Sequence, residues 1–210
     1  NIFLNERLFI YICTMRLRDE QKELLIKQKA IDMIVSEGLE GFGVNKLAKA
    51  ADVAPGTIYI YYRNKEDLIM QLCLEVSSNI LRSSIRGLQP EMSFGDGMRL
   101  QWKNRYQYAV RHPQEVQFIE KVRYSSIYEK ITEALTVEYG SALGAFIQAS
   151  RKRNELAEMS FEMYWSLAFA PLYQLINFSQ QITAKGTRRF VLTEAKLNEA
   201  LHRVLKGLKP

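Results

Sequence analysis

The chain is poor in the residues that build metal centres and nucleophilic active sites. Its 210 residues include two cysteines and two histidines, and Cys13, Cys73, His112 and His202 fall at no ligand spacing. A disulfide framework, a zinc site and a Cys/His nucleophile–base pair are therefore not expected. No cofactor, no metal and no enzymatic activity is read from it, since neither a phosphate loop nor a paired acid and base is present. Proline is scarce at five residues, and no alternation of apolar and polar positions marks a strand. Apolar runs are short: residues 8–12, within NIFLNERLFIYICT, cannot span a bilayer and lack the basic flank and small-residue cleavage site of a secretory leader. A cytoplasmic protein with no membrane partner is the expectation. Residues 1–14 precede the first methionine, Met15, and read as an extension ahead of the natural start, the alternative being a native extension that packs Leu8, Phe9, Ile10, Tyr11 and Ile12 on the body.

What the chain does have is helical periodicity and unevenly placed charge. Hydrophobic residues at 47% and charged residues at 25% describe an ordinary globular protein. The formal charge is +6, but residues 15–70 hold nine Lys/Arg against nine Asp/Glu. Within 43–65 the balance is different: Lys46, Lys49, Arg63 and Lys65 oppose only Asp52, four cations against one carboxylate. A local +3 of this kind favours phosphate binding more than a basic whole-chain balance does.

Residues 41–68 read GFGVNKLAKAADVAPGTIYIYYRNKEDL. Val44, Leu47, Ala48 and Ala51 recur at i, i+3, i+4 and i+7, one apolar face about two turns long, with Asn45, Lys46 and Lys49 outward. A turn falls at Asp52-Val53. Pro55 suits the first position of a second helix, where no hydrogen bond is lost. Asn64 is an N-cap for a third helix whose Glu66 and Asp67 favour the positive end of the dipole. Two short helices around a tight turn make a helix-turn-helix. The segment resembles the DNA-binding domain of the TetR family of bacterial regulators on Leu47-Ala48, Val53, Gly56-Thr57-Ile58-Tyr59, Tyr61-Tyr62 and Lys65-Glu66-Asp67-Leu68. Asp52 stands where the family has a turn glycine, and Gly43 where it has a Ser or Thr cap; both substitutions are compatible with the backbone required.

The resemblance implies a homodimeric, ligand-responsive transcriptional regulator, most often a repressor, whose partners are a palindromic double-stranded DNA operator and a small-molecule effector. The alternative is a DNA-binding protein without an inducer, acting structurally or through a protein partner. In the family, residues matching Thr57, Tyr59 and Lys65 hold phosphates, and the helix start, here Pro55 and Gly56, approaches base edges. Asn45, Lys46 and Arg63 complete the expected DNA-binding set. With no arginine on the second helix for a bidentate guanine contact, shape readout is expected to carry much of the specificity.

The fold class expected is all-α: a helix-turn-helix domain over 15–66, joined by a long helix to a C-terminal ligand-binding and dimerisation domain over 67–210. Periodicity places a first helix at 19–37 with Leu24, Ile31, Ile34 and Val35 inward, and a connecting helix from Lys65 through Leu81. Further helices are expected near 93–111, 114–124, 127–152, 158–183 and 193–208, with a kink at Pro171. Cys73 reads as a buried helix residue, Arg151-Lys152-Arg153 as a cationic helix end and Arg188-Arg189 as a solvated loop. Aromatics are dense beyond Pro90. Trp102, Tyr106, Tyr124, Tyr128 and Trp165 are the candidate lining of an effector pocket for an apolar or aromatic molecule, because their tips hydrogen-bond while their rings pack. The last two long helices form a dimer bundle in the family. Phe169, Tyr173, Ile176, Leu197, Leu201, Val204 and Leu205 are accordingly expected at the dimer interface.

Overall fold

The structure, a computed structural model, describes residues 2–181, 186, 187 and 190–210. They are helical throughout, with no strand among the described residues: α1 Ile2–Gly41, α2 Val44–Ala50, α3 Pro55–Tyr61, α4 Lys65–Ser84, α5 Phe94–Arg111, α6 Pro113–Val122, α7 Ser126–Lys152, α8 Phe161–Ala168, α9 Ala170–Gln180 and α10 Glu194–Leu208. No helix among them is long and apolar enough to cross a membrane. The expected end of the penultimate helix at Thr183, and Arg188-Arg189, lie outside the described residues.

The chain folds as two compact units, residues 1–76 with 114–132, and 77–113 with 133–210. In the first unit, α1 starts well before residue 19 and bends at Gly38, whose φ of 77° and ψ of 176° no side chain adopts without strain. Its inward face is Ile26, Ala30, Ile31 and Ile34. Leu24, expected inward, is 67% exposed, and Val35 is half-buried. The true face is displaced because Ile26, Ala30 and Ile34 repeat every four residues, and the small alanine lets a neighbour approach. Leu68, Ile69, Leu72, Cys73 and Val76 of α4 are buried as expected. Burial pushes the Cys73 thiol up to about 12, so it is an inert core residue.

The second unit is organised by α5. Ser93 caps it by accepting the Asp96 amide at 3.1 Å, and its buried residues follow one helical face: Phe94, Gly97, Met98, Gln101, Trp102, Asn104, Arg105 and Ala109. A Cβ on Gly97 would collide with the Phe146 ring of α7, so this glycine is required by a close approach. The cationic end expected at Arg151-Lys152-Arg153 closes α7, and Arg153 also binds the loop ahead of α5, donating to Pro90 O at 3.0 Å and to Met92 O. The helix expected over 158–183 is two helices. It breaks at Phe169 (φ −125°, ψ −27°), two residues before Pro171, which lacks the amide a continuous helix would use. Inside this unit α5 meets α9 and α10, and α8 meets α10.

Candidate nucleic-acid interface and effector chamber

The reader is built from backbone geometry before any side chain reaches outward. Gly43 opens α2 in extended conformation, and Leu47 N–H donates to its carbonyl at 2.9 Å. Leu47, Ala48 and Ala51 are buried, as their spacing requires. The helix closes with a left-handed residue, Asp52 (φ 53°). Val53 N–H then bonds Ala48 O at 3.0 Å and Asp52 N–H bonds Lys49 O at 3.3 Å, the paired bonds of a Schellman ending. Ala54 is the extended cap of α3, and Pro55 is its first residue. Ile58, at 1% exposure, and Tyr62, at 2%, hold α3 in place. Burial raises the Tyr62 phenol to about 12.

With residues 58 and 62 inward, the rest of α3 faces out. Pro55, Gly56, Tyr59 and Arg63 are exposed and Thr57 is half-buried. Ile60, absent from the expected set, is the most exposed large apolar side chain of the reader at 78%. The same one-turn register that buries Ile58 and Tyr62 carries this signal in the sequence. On α2, Asn45, Lys46 and Lys49 are exposed. Lys46 is held by Glu37, at 3.0 Å, and by Gly41 O, at 3.3 Å, so its ammonium is positioned beside α2. The start of α4 is fixed reciprocally. Asp67 N–H donates to Asn64 Oδ1 at 2.9 Å, and the Asp67 carboxylate accepts the Arg63 backbone N–H at 2.9 Å. That bond, with one from Gln71, lowers the Asp67 carboxyl below its usual range.

Lys65 differs from the sequence expectation. Its ammonium donates to Phe42 O at 2.6 Å and Leu39 O at 3.1 Å and lies over the Phe42 ring, 5.6 Å from its centroid. Two of its three donors thus satisfy carbonyls at the end of α1. It fastens α4 to the residues that follow the Gly38 bend, and only one N–H is left for a phosphate. Local sequence could not reveal this, because the carbonyls lie 26 and 23 residues earlier in the chain.

The five expected effector-pocket residues fall in both units. Tyr124 is 91% exposed. It and half-buried Tyr128 belong to the first unit, whereas Trp102, Tyr106 and Trp165 belong to the second. Trp102 is a fully buried core residue whose indole donates to Ala168 O at 2.8 Å. Tyr106 donates to Leu192 O at 3.2 Å, and Trp165 stacks on Tyr173 with ring centroids 6.1 Å apart. The structure instead opens a cleft of about 300 Å³ within the second unit, lined by Gly144, Ile147, Gln148, Arg151, Met159, Phe161 and Tyr164.

The expected dimer residues divide in the same way. Phe169, Ile176, Leu197 and Leu201 are each 7% exposed or less and pack inside the protomer. Tyr173, Val204 and Leu205 are half-buried. The apolar residues left outside on α8 and α9 are Phe161 at 60%, Met163 at 56%, Leu167 at 44% and Phe178 at 43% exposure. Helices α8 and α9 are apolar around much of their circumference, so sequence alone cannot say which stripe turns inward. Among the described residues no group of His, Cys, Asp and Glu could hold a metal ion.

Residues 26–72 match the model of the bacterial regulatory proteins of the tetR family. Over 145 residues the chain is 26% identical to an uncharacterized HTH-type transcriptional regulator of Haemophilus influenzae, a match covering 69% of this chain and 76% of that protein. The crystal structure of a TetR family transcription regulator from Marinobacter aquaeolei VT8 superposes with a TM-score of 0.80 at 20% identity, over 92% of this chain and 98% of that one. The transcriptional regulator FadR of Bacillus subtilis, solved in complex with stearoyl-CoA, superposes with a TM-score of 0.68 at 19% identity, covering 89% and 99% of the two chains. At these identities the structural likeness carries the fold, and the sequence match carries the reader.

Proposed function

Because this chain belongs to the TetR family of bacterial regulatory proteins, and is a transcription regulator rather than an enzyme, we propose that it is a homodimeric, ligand-responsive repressor released from a palindromic operator by a small effector. The observation that carries the reading is α3. Its outward side presents Pro55, Gly56, Tyr59 and Ile60 with no internal partner for Gly56, beside the cations of α2. Such a helix inserts into the major groove. Tyr59, Thr57, Lys46, Lys49 and Arg63 supply phosphate contacts, which position the protein. Ile60 and the Thr57 methyl offer apolar contacts to thymine methyl groups, and the open backbone at Gly56 permits close approach to base edges.

The dimer uses the exposed apolar side of α8 and α9, Phe161, Met163, Leu167 and Phe178, because Phe169, Ile176, Leu197 and Leu201, which the family resemblance implied for it, are buried within the protomer. Large apolar side chains exposed on two helices that pack together suit a surface that a second copy covers, and two-fold symmetry matches a palindromic site. The cleft beside Tyr164, in a fold also found in a regulator that holds stearoyl-CoA, supports an effector with a substantial apolar body. Genome-wide mapping of bound sites, followed by anisotropy titrations on the recovered sequence, tests the proposal. An inverted repeat is expected, with affinity falling steeply as salt rises. Sites without two-fold symmetry, or binding insensitive to salt, would sink it.

A further inference from the structure

The second unit contains a polar centre that its own residues leave unsatisfied. Gln101 and Arg105 lie one turn apart on the inward face of α5, at 0% and 5% exposure. Among the described residues, neither the nitrogen nor the oxygen of the Gln101 amide has a hydrogen-bond partner, and the Arg105 Nε–H has none. Arg105 does have two neutral neighbours. Its Nη1 donates to the Tyr173 hydroxyl at 2.8 Å, and its guanidinium lies 4.2 Å from the centroid of the Phe169 ring. Among the described residues no carboxylate lies within ion-pair distance of it. A buried cation without a counter-charge is expensive, and a ring face with one hydroxyl offsets only part of that cost. An unpaired amide on the same face adds to it. An apolar pair would pack this core better, so the polar pair is explained by something it binds.

We infer that Gln101 and Arg105 form the headgroup site for an organic carboxylate carrying an apolar body, an inference that rests on the ligand-responsive reading above and specifies its ligand. The free Arg105 Nε–H and the Gln101 amide N–H are two donors on one helix face, enough for the two oxygens of a planar monoanion. A phosphate dianion would need more positive charge than one guanidinium brings. Tyr164 connects this centre to open space. It lines the cleft with Ile147, Gln148, Arg151, Met159 and Phe161, the Arg151 guanidinium being tied to Met159 O at 2.9 Å, and its ring meets Phe169 edge-on at 5.9 Å, Phe169 being the ring that carries Arg105. Among the described residues the Tyr164 hydroxyl has only the Met98 thioether, at 3.6 Å, as acceptor. A weak bond of this kind is readily given up, so rotation of one phenol opens the way from the cleft to Arg105.

The test uses the full chain with decanoate, methyl decanoate and decanol, read by thermal shift and by competition with operator DNA. Decanoate is expected to bind at least tenfold more tightly than its ester or the alcohol. Arg105→Met should abolish that preference without lowering the melting temperature of the free protein, because an uncompensated charge has been removed from the core. Gln101→Met, which keeps the charge and volume, should weaken decanoate severalfold and leave methyl decanoate unchanged. Failure of decanoate to bind, or an unaltered carboxylate preference in both variants, overturns the headgroup site. A free Arg105→Met protein that melts far below the wild type also overturns it, since the guanidinium would then be structural. If decanol or the ester relieves operator binding as well as decanoate does, the headgroup assignment fails and the ligand-responsive reading stands. If neither these molecules nor neutral aromatics such as indole and naphthalene change operator affinity, that reading fails too.

Discussion

Gly56 and Lys65 separate what a residue does for the fold from what it does for a partner. A Cβ on Gly56 would meet nothing within 4 Å, so no internal packing requires the glycine. Gly56→Ala should raise stability by about 0.5–1 kcal/mol, the usual cost of glycine within a helix, while lowering operator affinity tenfold or more through the methyl placed at the DNA surface. Unchanged affinity in an anisotropy titration would mean that the α3 backbone stands off the bases. Lys65→Met should behave in the opposite way. Losing two charge-assisted bonds to Leu39 and Phe42 carbonyls should cost about 1–3 kcal/mol in urea melts. The slope of log affinity against log salt should not change. A fall of about one in that slope would restore the phosphate role that sequence alone suggests. The outward set on α3 was legible because register within one short helix decides it. The anchoring of Lys65 was not, since it depends on where a distant helix end lies.

At the scale of elements, helix boundaries followed from caps and breakers, whereas the facing of apolar helices did not. Ser93, Thr193 and Asn64 each accept an amide from the first turn of their helices, as such residues do by preference. Residues 197, 201 and 208 of α10 face inward on a spacing visible in the sequence, yet nothing in that spacing says whether the surface they meet belongs to the same chain. Two substitutions discriminate. Leu167→Glu, on the exposed side of α8, should dissociate the dimer in light scattering while circular dichroism stays helical. Leu201→Glu, which buries a charge at a position 3% exposed, should unfold the second unit outright. A dimer that persists in Leu167→Glu places the interface elsewhere. The bend in α1 has a similar check: Gly38→Ala, forced into a region open to glycine alone, should cost about 1–3 kcal/mol, and a neutral result in urea melts would mean that the bend relaxes.

For the whole molecule, four perturbed groups make stability depend on alkaline pH in one direction. Burial holds the Cys73 thiol and the Tyr62 and Tyr164 phenols up to about 12, against ordinary values of 9 and 10. Lys27 is also raised above its usual range; burial opposes this, but its bonds to Glu75 and Glu23 prevail. In every case the unfolded chain gives up its proton first. Fewer protons bound in the unfolded state means stability that falls as pH rises. Melting temperature should therefore be level near neutrality and decline from about pH 9 to 12, the window between the ordinary and the raised values. A stability unchanged up to pH 11 would mean that water reaches these groups.

Local sequence encodes the helical class, the position of the turn at Asp52-Val53 and the start of α3 at Pro55. These rest on interactions spanning five residues or fewer, so local spacing encodes them. Tertiary structure decided which face of α8 and α9 turns inward, that Trp102 is core and Tyr124 is surface, that Lys65 ties down the end of α1, and that Gln101 and Arg105 are buried together without a counter-charge. Each depends on which distant segment supplies the neighbour, and helical periodicity is blind to that choice.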